Sequence, residues 1–116
     1  MNIKNQVQQM DSIVGTGAIV DAVKQFFAED AQTSDYNNLT TSNKAQMIEK
    51  MESFAGAIAE VNDITHHNSI VDGNLSASEF TFDFTMKDGS SIFWHEIIRR
   101  NWNDEGLVVR EEYFNA

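Results

Sequence analysis

Two adjacent histidines, His66 and His67, and one glutamate, Glu96, stand inside alternating apolar segments of the chain. In a strand His66 shares the phase of Ile64 and Ile70, which points it toward the interior. An inward histidine can give a proton to a leaving hydroxyl; it can equally be a core histidine satisfied by one hydrogen bond. Glu96 lies in the run SIFWHEIIRRNW. A carboxylate facing an apolar cavity is costly unless it is paired or protonated. Glu96 is therefore a working acid–base group or one held by a neighbour such as Arg100 or His66. No metal site is expected. Adjacent histidines on a strand point apart, and HEIIR carries Arg99 where an HExxH motif needs its second histidine. Cysteine is absent, which removes thiol nucleophiles, disulfides and thiolate metal sites. Gly15-Thr16-Gly17 follows a helical pattern rather than a strand, and Val20 stands where a dinucleotide fingerprint needs glycine. It reads as a turn between helices, and no cofactor is expected.

The elements that must position these groups follow from periodicity. Ile3, Val7, Met10 and Val14 recur at helical spacing, and a second helix runs from Ala18 to about Glu29 with Val23, Phe26 and Phe27 toward the core. Residues 30–42 are polar and irregular, with room for a short strand near Thr33. Ser42 is a plausible N-cap for a third helix striped by Met47, Met51, Phe54 and Ile58. From Val61 the period becomes two. Phe80, Phe82, Phe84 and Met86 alternate with polar residues, Asp88-Gly89 signals a hairpin, and residues 91–102 and 107–114 complete a four-strand meander. Helices first and strands after predict a single α+β domain over residues 1–116, with a curved antiparallel sheet.

Hairpin register decides which side chains share the helix-covered face. A bulged turn puts Trp94, Glu96 and Ile98 with the phenylalanines; a simple turn puts Phe93, His95 and Ile97 there. Residues 91–102 are apolar in both phases, so the outer face needs a cover, and a homodimer is predicted. The net charge of −10 repels phosphate backbones and anionic lipid, so neither nucleic acid nor a membrane is an expected partner. The polar start MNIKNQVQQM lacks the apolar core of a signal peptide, and with the absence of cysteine this fits a cytoplasmic setting.

The element order, with FFAEDA closing helix two, ITHHNSIVDGN in the first long strand and TMKDGSSIFWHEIIRRNW…GLVVREEYF at the end, resembles the SnoaL-like branch of the nuclear-transport-factor-2-like (NTF2-like) superfamily. The resemblance covers nearly the whole chain and implies a cone, in which three helices and a concave sheet enclose an apolar pocket. Relatives include ketosteroid isomerases, scytalone dehydratases, limonene epoxide hydrolases and polyketide cyclases. The run W-x-E-x-x-x-R-x-W at Trp94–Trp102 favours the bulged register. The family pattern places Asp35 where the isomerases carry their base, and His66 where the dehydratases carry a histidine. The isomerases' tyrosine and protonated aspartate have apolar counterparts here, near Met10 and near Ile97 or Ile98, which argues against steroid isomerisation. Asn115 stands where many relatives have an acidic residue. The implied catalytic set is Asp35, His66 and Glu96. The implied lining is Phe27, Tyr36, Phe80, Phe82, Phe84, Trp94 and Tyr113, around a small apolar molecule. A proton-transfer enzyme, a binding module and a dimeric accessory domain are all compatible with this set.

Overall fold

The computed structural model describes residues 2–116. Helix α1 (Ile3–Gly15) starts at Asn2, whose side chain accepts the Asn5 N–H at 3.1 Å. Its inward stripe is Val7, Met10 and Val14, with Asp11 buried among them. Helix α2 (Ile19–Phe26) buries Ala22, Val23 and Phe26. It ends sooner than periodicity predicts, because Phe27 turns extended (φ −85°, ψ 137°) and opens strand β1 (Phe27–Asp35). Strand β2 (Asn38–Thr41) pairs with it through a turn at Tyr36 and Asn37. The polar stretch read as irregular therefore holds two strands. Helix α3 (Lys44–Ala57) is capped by Asn43 rather than Ser42. Asn43 accepts the Gln46 N–H at 2.9 Å, and the Gln46 side chain accepts the Ser42 N–H at 2.7 Å.

Strands β3 (Ile58–Asp72), β4 (Leu75–Met86), β5 (Ser91–Trp102) and β6 (Val108–Asn115) form the predicted meander. The full sheet has the order β2-β1-β6-β5-β4-β3, antiparallel except for the parallel β1–β6 pair. One face of β4 is fully inward: Ser76, Ser78, Phe80, Phe82, Phe84 and Met86. Burying each phenylalanine contributes about 1.5–3 kcal/mol. In the β4–β5 turn (87–90) Gly89 has φ +88°, with its N–H on the Met86 carbonyl at 3.0 Å. That left-handed glycine makes the bulged register, and Phe80, Phe82 and Phe84 face Glu96, Trp94 and Ile92.

Strand β3 shifts register three times, at Ile58/Glu60, Val61/Asp63 and His66/Asn68. The last shift corrects the phase assignment made from periodicity. His66 lies opposite Phe80, but beyond His67 the inward positions become Ser69 and Val71, and Ile70 is 65% exposed. The core gathers α1, α2 and the concave sheet face. Phe26 meets Trp102 edge-on at 6.3 Å, and the Trp102 indole N–H donates to Ser76 Oγ at 2.9 Å. No helix among the described residues is long and apolar enough to cross a membrane.

Candidate functional site

Between the helices and the concave sheet face lies a cavity of about 260 Å³. Its apolar wall comes from Met10 and Val14 of α1, Ile19, Ala22 and Val23 of α2, and Met51 and Phe54 of α3, facing Phe82, Phe84, Trp94 and Ile98 of the sheet. Trp94 stacks on Phe54 at 5.5 Å and 17°. Trp94 and Tyr36 are both near half exposed and mark the mouth; Ile98, Arg100 and Glu111 are buried and mark the inner end. The volume is somewhat below the usual range of about 300–1,000 Å³ for small-ligand pockets.

Two electrostatic groups line this space. At the inner end Arg100, fully buried, donates through Nε to Glu111 at 2.8 Å and through Nη1 to Asp11 at 2.7 Å. Burial works against the guanidinium charge, but Glu111 and Asp11 outweigh it and push the Arg100 pKa up. Asp11 also accepts from Ser69 and Ser78, each at 2.7 Å, and the Tyr113 hydroxyl donates to Glu111. Burial, then the Glu111 charge, pushes the Tyr113 pKa well up.

Nearer the mouth stands Glu96, only 8% exposed. Burial pushes its pKa up; the Tyr36 hydroxyl, 3.3 Å from Glu96 and also 2.9 Å from Asn115 Oδ1, and the Lys50 charge partly offset this, and Asp35 and Glu111 add to it. No ion pair reaches Glu96 among the described residues. The nearby cation, Lys50 of α3, pairs instead with Asp35 at 3.2 Å, where both side chains are partly exposed. Neither neighbour offered as a partner holds Glu96: Arg100 is engaged deeper by two other carboxylates, and His66 bonds Ser69. The site thus offers one buried carboxyl open to an apolar space, two tyrosine hydroxyls and an ion pair at the rim.

The fold brings together Asp35, Tyr36, Glu96, Phe82, Phe84, Trp94 and Tyr113 around this cavity. It does not bring His66, Phe27 or Phe80 there. His66 stacks on Phe80 at 4.8 Å, bonds Ser69 Oγ at 2.6 Å and sits 3.5 Å from Asp11. Its inward phase holds, but Phe80 is fully buried and occupies the space between His66 and the cavity. Phe27 is likewise core, fully buried at the start of β1. Periodicity did not single out Lys50, or Asp11 as the second partner of Arg100. Asp11 carried a signal, an acid inside the apolar stripe Val7, Met10, Val14; Lys50 carried none beyond its place beside Met51.

No family model matches the chain, and no curated protein matches it at a significant level. Solved structures do. A candidate SnoaL-like polyketide cyclase from Mesorhizobium loti is 18% identical with a TM-score of 0.85, covering 98% of this chain and 99% of that one. An NTF2-like protein of unknown function from Burkholderia pseudomallei is 15% identical with a TM-score of 0.80, over 100% and 92%. A protein of ketosteroid isomerase-like fold from Catenulispora acidiphila, solved with trimethylamine, is 15% identical with a TM-score of 0.73, over 90% and 80%. The chain therefore has the NTF2-like α+β fold shared by SnoaL-like proteins, and identities this low define the fold alone.

Proposed function

We propose that the protein binds a small, largely apolar molecule in the cavity and moves a proton on it, with Glu96 as the acid–base group. The observation that carries this reading is the Glu96 carboxyl: buried, in no ion pair among the described residues, and bordering an apolar space. Such a group resists ionisation, and once ionised it is a stronger base than an exposed carboxylate. A carbon acid beside a carbonyl is a fitting substrate. Glu96 takes the proton, and the Tyr36 hydroxyl, within reach of the same carboxyl, can turn to a developing oxygen. Asp35, held by Lys50, shapes the entrance and its charge rather than accepting the proton. His66 has no part in this chemistry.

The test is hydrogen exchange into bound carbonyl compounds. A panel of small cyclic ketones and enones is incubated with the full chain in deuterated buffer, and loss of the α-proton signal is followed by NMR. Exchange is expected to fall by about 10²–10⁴-fold in Glu96→Gln and to survive in Asp35→Asn. If probes bind to the parent without exchanging, the protein is a binding module and the catalytic reading fails; if exchange survives Glu96→Gln, Glu96 is not the base.

A further inference from the structure

On the sheet face opposite the cavity, His67 of β3, Glu79 of β4 and His95 of β5 converge. One ligand atom from each lies within 4.8 Å of the other two. We infer that these three side chains form a binding site for a divalent transition-metal ion of the zinc class.

The fold assembles this set in a way that neighbouring residues alone could not. His66 and His67 do point to opposite faces, so the pair itself cannot grip a metal. The bulge at His66/Asn68 supplies the difference. It sets two residues, His67 and Asn68, against Glu79, with His67 on the outer face. Thr81 Oγ1 holds that ring at 2.6 Å from Nε2. The next strand adds His95, which lies opposite Thr81. The two imidazoles stand 5.3 Å apart between centroids, and His95 Nε2 contacts Glu79 Oε2 at 2.5 Å.

Two imidazoles and one carboxylate are a donor set that zinc accepts with a fourth position left open. Bonds of about 2.0–2.1 Å in tetrahedral geometry separate donor atoms by roughly 3.4 Å, so the His95–Glu79 contact opens by roughly 1 Å to admit the ion. Nitrogen donors favour zinc, copper or nickel over magnesium and calcium, which prefer all-oxygen sites. In the single chain both histidines are exposed and Glu79 is half-buried, so an ion reaches the site from solvent wherever a second copy does not cover this face. The net charge of −10 draws cations to the surface. Sheet alternation puts Phe80 and Glu96 on the other face, so this site stands apart from the cavity and from any reaction there.

Zinc chloride titrated into the full chain by calorimetry tests the assignment. One ion per chain is expected, with the ring proton signals of His67 and His95 shifting together and those of His66 unmoved. His67→Gln, His95→Gln and Glu79→Gln each weaken binding by at least about tenfold, while His66→Gln, next door on the inner face, leaves it unchanged. Circular dichroism of each variant separates lost binding from lost folding. Absence of saturable binding at 100-fold excess of zinc, or equal loss in His66→Gln, overturns the site.

Discussion

At the scale of single residues, the chain's two tyrosines report on the cavity. Both hydroxyls have pKa values above the ordinary 10.0: Tyr36 through burial and then Glu96, Tyr113 through burial and then Glu111. The folded chain therefore keeps phenolic protons that the unfolded chain loses. The stability linked to them is fully present below about pH 10 and is lost as pH rises through the folded values. Tyr113 carries most of it, since Tyr36 is 44% exposed and solvent weakens its share. Absorbance at 295 nm is expected to stay flat past pH 10 and then to rise together with unfolding. Ionisation of both tyrosines near pH 10 in a chain that is still folded would contradict the hydrogen bond between Tyr113 and Glu111. Alternation left two registers open for Trp94 and Glu96, and the resemblance of the Trp94–Trp102 run to the family pattern chose the one the structure has. For His66 the phase was right and the position along the strand was wrong. Period tells which face a side chain takes, whereas helix packing decides where along the sheet the empty space lies.

Among the elements, the buried Arg100 joins three of them: α1 through Asp11, β5 through its own backbone, and β6 through Glu111. Arg100→Met leaves two buried carboxylates facing each other without a cation. A loss of about 3–5 kcal/mol is expected, read as a lower urea midpoint. The triple variant Asp11→Leu, Arg100→Met, Glu111→Leu recovers much of that loss, because it removes the charges together. If the single change costs no more than a surface substitution, the clamp is not what holds α1 to the sheet. The four strands of the meander were legible from the period of two that begins after Val61 and from the hairpin signal at Asp88-Gly89. Strand β1 was not. Its buried positions include Thr33 and Ser34, and Thr33 Oγ1 is satisfied by Thr41 Oγ1 at 2.6 Å, so no hydrophobic alternation marks it. Its parallel pairing with β6 joins segments far apart in the chain, a relation that no local pattern carries.

For the whole molecule, the outer sheet face decides how copies meet. With Trp94 turned to the cavity, the apolar part of that face includes Phe93, 70% exposed, with Ile97 and Phe114 half-buried opposite one another. We expect a homodimer through this patch, seen by light scattering after size exclusion at micromolar concentration. Phe93→Lys should shift it to the monomer with the fold intact; a parent chain that is already monomeric would show that the patch is too small to hold a second copy. The three register shifts of β3 have an effect beyond curvature. As the last strand of the sheet, β3 leaves a row of backbone N–H and C=O groups unpaired, and its fifteen residues would offer a long template to any stray extended chain. Each bulge breaks the regular spacing of that row, and exposed Glu60, Asp63 and Asp72 add charge along it. At the opposite margin β2 has only four residues. Irregularity on one rim and brevity on the other thus keep an open six-stranded sheet from growing by strand addition into an aggregate.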